Sequence, residues 1–237
     1  MSTHTERSPQ PGEVPGDWVR RLLKTPSDRD KQRRVGPSDI GDPCSRCLAG
    51  KLAGESSPQG KYYLGARIGS AIHLALEELT TDVPGVVPET KVTVGELEGY
   101  GVIRGSADSL WLDERHLIDF KTTMRDKLTW IKLALQTEPG ELEVGKLVST
   151  RHKVAGYIAQ THLYAKGLGN VDKISLVFIC RDGSTDSDIW SYTMDYDPEY
   201  AEKVWGRLEA IWKALQGGRE PDTFASHAEC YPCNHTR

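Results

Sequence analysis

Four of the five cysteines stand in two Cys-x-x-Cys pairs near opposite ends of the chain, Cys44/Cys47 and Cys230/Cys233. Paired spacings of this kind are a strong signature of tetrahedral thiolate coordination, and by spacing alone they suit zinc and an iron–sulfur cluster equally. If one centre holds all four, the chain must leave residue 47 and return to residue 230. Everything between is then closed into one unit whose folding draws on the metal. The fifth, Cys180, ends the apolar run Val177-Phe178-Ile179-Cys180 and reads as a buried core thiol. Disulfides are not required, because 237 residues can bury a full core. Residues 1–30 lack an apolar signal region, and no run approaches the ~20 apolar residues of a membrane span. The expectation is a soluble, unsecreted, cytoplasmic protein with no membrane partner.

A net charge of −4 argues against a uniformly basic nucleic-acid binder, but the charges are segregated. Residues 144–171 carry Lys146, Arg151, Lys153 and Lys166 with no acid, whereas residues 182–202 carry acids and no Lys or Arg. A basic face can therefore coexist with an acidic total, and the face is what DNA would feel. The stretch from Trp18 to Arg34 is the most basic of all.

Hydrophobic periodicity and turn residues divide the chain. Residues 1–16 are Pro- and Gly-rich and read as a disordered tail. A short helix starts at Asp17. A strong helix starts near Gly65, with Ile68, Ile72, Leu76 and Leu79 at helical spacing. Three strand-like runs follow, Val86–Val94, Tyr100–Leu112 and Leu117–Thr122, the last two joined by a polar turn at 113–116. Residues 126–149 are ambiguous, with a possible helix over Leu128–Leu135. A second strong helix is expected over Thr150–Leu168, a strand pair over Ile174–Cys180 and Ile189–Asp195, and a helix from Pro198 to Leu215. Interleaved strands and helices without a strict βαβ rhythm make the class α/β or α+β around a mixed sheet. The expected organisation is a tail (1–16), an N-terminal helical and cysteine segment (17–64), a core (65–216) and a C-terminal cysteine segment (217–237) that packs with 44–47.

Gly105-Ser106-Ala107-Asp108 and Leu117-Ile118-Asp119-Phe120-Lys121-Thr122 form the sharpest local feature. Strand alternation puts Asp119 and Lys121 on one face, Ile118 and Phe120 on the other. With Leu112 opposite Leu117, Asp108 falls across from Lys121 and diagonal to Asp119. Two carboxylates this close need a cation, and oxygen ligands suit Mg²⁺ or Mn²⁺. Such an ion activates water and neutralises charge on a phosphate, while the lysine orients or deprotonates that water or holds the phosphate. Taken alone, Asp-x-Lys fits an ordinary salt-bridge patch better.

Two helices add to it. Gly69, His73 and Glu77 share one face of the first, where Gly69 permits a close approach. His73 by itself fits a half-buried core histidine. In the second helix, Lys153, Tyr157, Gln160 and Tyr164 form a polar-aromatic stripe opposite Val154, Ile158, Thr161, Ala165 and Leu168. That stripe suits a nucleic-acid strand, or is simply the wet side of an amphipathic helix. Tyr62 and Tyr63 could stack bases or serve as core aromatics.

Gly69-x-x-x-His73, Gly105-x-x-Asp108, Asp119-x-Lys121-Thr122 and Gln160-x-x-x-Tyr164 occur in the order seen in RecB-like nucleases of the PD-(D/E)XK superfamily, which the chain resembles over residues 65–170. The resemblance implies a restriction-endonuclease-like mixed sheet flanked by helices. It implies that His73, Asp108, Asp119 and the main-chain carbonyl of Phe120 bind the metal, that Lys121 assists the attacking water, and that Gln160 and Tyr164 position the strand or the lysine. Residues 126–149 lengthen the usual gap and have no assigned role.

Within this group the chain is similar to the iron–sulfur exonucleases associated with CRISPR adaptation and to their phage relatives. That likeness implies a 4Fe–4S cluster on Cys44, Cys47, Cys230 and Cys233, with structural Zn²⁺ as the alternative. The two-and-two split here departs from the one-and-three split of those relatives. The implied activity is a metal-dependent DNA exonuclease, end-directed on single strands, in recombination, repair, replication or CRISPR-type processing within a prokaryotic cell or phage-infected host. The alternative is a non-catalytic or endonucleolytic DNA-binding subunit of a larger recombination complex.

Overall fold

The computed structural model describes residues 14–24, 34–55, 64–137, 145–227, 230 and 233. Helices α1 (Pro15–Lys24), α2 (Pro37–Gly41), α3 (Ser45–Leu52) and α4 (Leu64–Thr80) precede a meander of β1 (Val86–Leu97), β2 (Gly101–Trp111) and β3 (His116–Thr123). Helices α5 (Arg125–Gln136) and α6 (Gly145–Leu168) lead to β4 (Lys173–Cys180) and β5 (Ile189–Asp195), and α7 (Pro198–Gln216) follows. The strands lie in the order β1-β2-β3-β4-β5. All neighbours are antiparallel except β3 and β4, which run parallel. The crossover through α5 and α6 makes that parallel pair possible, since parallel neighbours need a long connection. The molecule is thus the expected mixed sheet flanked by helices.

The β1–β2 hairpin pairs along nearly its whole length and turns at Gly99, whose φ of +75° is open to glycine. The β2–β3 pairing is short. It runs only from Trp111↔His116 to Ser109↔Ile118, and Leu110 rather than Leu112 faces Leu117. The expected register is therefore off by two residues. Leu112 belongs to the turn, where its N–H donates to the Gly85 carbonyl at 2.8 Å and its own carbonyl accepts from Arg115, which adopts φ +49°. A two-residue shift keeps every side chain on its expected face. Continued one step, the observed register would set Asp108 opposite Asp119 rather than opposite Lys121. Here the ladder ends and β2 leaves β3.

One buried cluster joins Val35, Ile40, Leu48 and Leu52 of the N-terminal segment to Val92, Ile103 and Leu117 of the sheet, Leu163 of α6 and Trp205 and Leu208 of α7. A second joins Leu128 and Ile131 of α5 to Val154, Leu176, Phe178 and Cys180. Residues 126–136 of the unassigned stretch thus form a helix that covers β4; residues 138–144 lie outside the described residues. Trp205 packs on Gly95, where a Cβ would lie 2.6 Å from the indole.

Helix α6 starts at Gly145, five residues before the expected Thr150. Ser149 and Thr150 do not cap it; their hydroxyls donate back to the Lys146 carbonyl inside the helix, at 3.1 and 2.7 Å. From Ala159 to Ala165 this helix is buried on every side. The stripe expected to guide DNA therefore turns inward at Gln160 and Tyr164, and only its Lys153 end is exposed. Helix α4 differs from expectation in the opposite direction: only Gly69 is buried, while Ile68 and Leu79 are 39% and 74% exposed. Its apolar stripe is not a core stripe among the described residues.

Candidate active site and cysteine centre

Strand alternation along β3 sets the site. Phe120 and Thr122 face α4: the Phe120 ring meets His73 edge-on at 6.2 Å, and Thr122 Oγ1 lies 3.0 Å from where a Cβ on Gly69 would stand. The close approach that Gly69 permits is thus to Thr122. Asp119 and Lys121 face α6, from which Gln160 reaches the lysine. Asp108 sits where β2 parts from β3. Its Oδ2 accepts from the Phe120 N–H at 2.7 Å, and its Oδ1 lies 3.3 Å from His73 Nδ1. The missing ladder bond is replaced by a carboxylate, which explains why the pairing stops there.

Lys121 Nζ lies 2.6 Å from Asp119 Oδ2, donates to Gln160 Oε1 at 3.3 Å, and stands 4.9 Å from the centre of the Tyr157 ring. Gln160 Nε2 in turn donates to the Tyr164 hydroxyl at 3.0 Å. Tyr164 and Pro37 both press on Gly105: a Cβ there would lie 2.6 Å from Tyr164 Cε1 and 2.9 Å from Pro37 Cγ. The structure therefore brings together His73 with Asp108, and Asp119 with Lys121, Gln160 and Tyr164. Among the described residues, only the cysteines gather three or more ligand atoms within 4.8 Å of one another, so the imidazole and two carboxylates are more widely spread.

Electrostatics set the protonation states. Burial pushes the Asp119 carboxyl up to about 6, with Lys121 pulling it down and Asp108 adding to the rise. Burial disfavours the Lys121 charge, but the Asp119 carboxylate outweighs it and the net shift is upward. The contact with Asp108 raises the His73 imidazole against the opposing effect of burial. Asp119 is 2% exposed, and its Oδ2 lies against the Lys121 ammonium. Two carboxylates and an imidazole are oxygen and nitrogen donors of the kind a hard divalent cation takes, so this donor set fits one.

From the sequence, Tyr157 is expected only in the DNA-guiding stripe, and Pro37 and Arg181 have no expected role. Tyr157, one turn before Gln160, places its ring beside both Lys121 and Lys153 Nζ, the latter at 5.7 Å. Pro37 packs beside Tyr164 on Gly105, and Arg181 fastens the start of α4 by donating to the Gly65 carbonyl at 2.9 Å. Tyr157 stands in the polar-aromatic stripe, which is signal enough to find it; Pro37 and Arg181 carry no local signal, being defined by contacts across the fold. Of the most basic stretch, 18–34, residues 25–33 lie outside the described residues, and within α1 Arg20 pairs with Asp17 at 2.5 Å. Tyr62, Tyr63 and most of the expected tail, 1–13, also lie outside them.

The four cysteines meet as expected. Cys47 Sγ stands 3.2 Å from Cys230 Sγ and 3.5 Å from Cys233 Sγ, with Cys44 Sγ 3.6 Å from Cys233 Sγ. Cys180 is separate and buried in the second core cluster. The loop before Cys44 is fixed by Asp42, whose Oδ1 accepts from the Cys44 N–H at 2.8 Å, and by Arg207, which donates to the carbonyls of Ile40 and Asp42. This group can hold a metal and joins the two ends of the described chain.

The sequence matches no protein-family model, and no curated protein matches it. Solved structures do. The alkaline exonuclease LHK-Exo from Laribacter hongkongensis superposes with a TM-score of 0.51 at 14% identity, over 81% of this chain and 94% of that one. LHK-Exo in complex with dAMP gives 0.47 at 15% identity, covering 78% and 89%. A phage-related exonuclease from Haemophilus somnus 129PT gives 0.45 at 16% identity, covering 77% and 82%. At these identities the likeness is one of fold, and the first comparison carries it. The chain shares the fold of this alkaline exonuclease.

Proposed function

We propose that the chain is a divalent-metal-dependent deoxyribonuclease, an exonuclease that hydrolyses phosphodiester bonds from the free ends of single-stranded DNA during recombination, repair, replication or CRISPR-type processing. The observation that carries this reading is the convergence of Asp119, Lys121 and Gln160 beside the His73–Asp108 pair, at the point where two strands separate. The exonuclease fold of LHK-Exo supports it.

His73, Asp108, Asp119 and the Phe120 carbonyl would hold Mg²⁺ or Mn²⁺. When bound, the ion supplies an activated water and neutralises charge on the phosphate. The chain's own residues do the rest. Lys121, with its proton strengthened by Asp119, acts as a cationic donor that orients the attacking water and offsets charge developing on the phosphate oxygens. Gln160 fixes the direction of that ammonium, and Tyr164 fixes Gln160. Because Asp119 is buried and Lys121 largely so, these groups are aligned before substrate arrives.

The test is hydrolysis of end-labelled single-stranded DNA with Mn²⁺. Asp119→Ala and Lys121→Ala are expected to lose about 10²–10⁴-fold in rate. Cleavage that survives either change would overturn the assigned centre. Circular single strands should stay intact, and their degradation would replace the exonuclease with an endonuclease.

A further inference from the structure

We propose that Cys44, Cys47, Cys230 and Cys233 hold a single tetrahedral zinc ion and not a 4Fe–4S cluster. The thiol separations distinguish the two. With zinc–sulfur bonds of about 2.3 Å, four thiolates around one ion lie about 3.8 Å apart. Around a cubane each thiolate caps a different iron and points away from the centre, which spreads the sulfurs to roughly 6 Å. Here three of the pairs are 3.2, 3.5 and 3.6 Å apart, and all four sulfurs lie within 4.8 Å of one another. The pocket is sized for one ion.

The surroundings hold that size independently of any metal. The Arg46 N–H donates to the Ala225 carbonyl at 3.2 Å, and Arg46 Nε reaches the Phe224 carbonyl at 3.4 Å. Leu48 and Ala49 on one segment and Phe224 on the other are buried in the same core cluster. Cys44 and Cys230 are 0% and 3% exposed, so neither can withdraw to admit a cubane without displacing that packing. Thiolate ligands and a closed four-coordinate shell are the chemistry of a structural zinc site. The fold-family expectation of an iron–sulfur cluster does not fit these separations.

The experiment is metal and sulfide analysis of the full chain purified without oxygen. About one equivalent of zinc per chain is expected, with no acid-labile sulfide and no broad visible absorption. The zinc should be released in step with blockade of the cysteines by an organomercurial, which separates it from any ion on His73, Asp108 and Asp119. Replacement by Co²⁺ should give the visible bands of a tetrahedral thiolate complex. Acid-labile sulfide with about four irons per chain, or thiols that titrate freely with no metal released, would overturn the proposal. None of these readouts depends on nuclease activity.

Discussion

Gln160 bridges Lys121 and Tyr164: its amide oxygen accepts from the ammonium at 3.3 Å while its amide nitrogen donates to the phenol at 3.0 Å. Neither partner replaces the other, because the ammonium can only donate and the amide must present its oxygen to it. Gln160→Leu is expected to lower kcat about tenfold with little change in KM, a loss of about 1.4 kcal/mol of transition-state stabilisation. Leaving the buried polar partners unsatisfied should cost a further 1–3 kcal/mol of stability, roughly. Steady-state kinetics on a short single strand and thermal melting measure the two effects separately.

Two glycines test the wedge formed by α2. A Cβ on Gly105 would meet Tyr164 and Pro37, and one on Gly41 would collide with the Gly156 carbonyl oxygen. Gly41→Ala meets backbone, which cannot turn aside, so it should destabilise by about 1–3 kcal/mol. Gly105→Ala meets the side chains of Tyr164 and Pro37 rather than backbone, so it should lower activity through Tyr164 more than it lowers stability. Melting temperatures and kcat for the two variants should fall in opposite orders.

The protons around Asp119 would make binding of the proposed cation pH-dependent. Its carboxyl titrates near 6, above the usual ~3.9, so between those values the unfolded chain releases a proton that the folded chain keeps. Cation-free stability therefore falls as pH rises through that window. His73, raised by Asp108, acts in the same sense: its contribution is full below ~6.5 and is lost as pH climbs past the folded value. A divalent ion bound as proposed would displace these protons, so its stabilisation should grow with pH. At a fixed concentration about 100 times the alkaline Kd, Mn²⁺ should raise Tm by roughly 5–10 °C at alkaline pH and by much less at pH ~5. Asp119→Asn should remove most of the increment, and a chelator should reverse it in the parent chain.

Asp188 supplies the opposite limb. It accepts from Arg125 Nε and Nη2, both at 2.7 Å, and from the N–H groups of Ser184 and Thr185 at 2.8 and 3.0 Å. The Arg125 contact is the largest of the causes that hold its carboxyl well below the usual range. A depressed value means stability that is present above ~4 and is lost as pH falls toward the folded value. Asp188→Asn should flatten the acid side of a Tm-against-pH curve and leave the Mn²⁺ increment unchanged.

Much of this was legible in the chain because period and spacing are local. Alternation alone places Asp119 and Lys121 together and opposite Phe120, and the order of short motifs points to His73, Asp108 and Gln160 before any contact is known. What stayed hidden depends on distant partners. The β2–β3 register turned on the bond from Leu112 to Gly85, outside the hairpin. The burial of Gln160 and Tyr164 turned on α2 and α7 covering a helix that looks two-faced by itself. Exposure of the α4 stripe was equally unreadable, since helical spacing of Ile68 and Leu79 says only which residues share a face, not what lies against it. The Cys-x-x-Cys pairs disclosed that four thiols would meet; the distance between them needed coordinates.

Cys47 and Cys230 meet across 183 positions of sequence. During synthesis at about 5–20 residues per second, the first pair leaves the ribosome roughly 10–40 s before the second. By then the strands and helices between them have been made and are free to pack. Capture of the proposed ion would therefore be a closing event in the life of a nascent chain, acting on strands and helices already made, and a cell starved of that ion would be expected to accumulate molecules open at the seam.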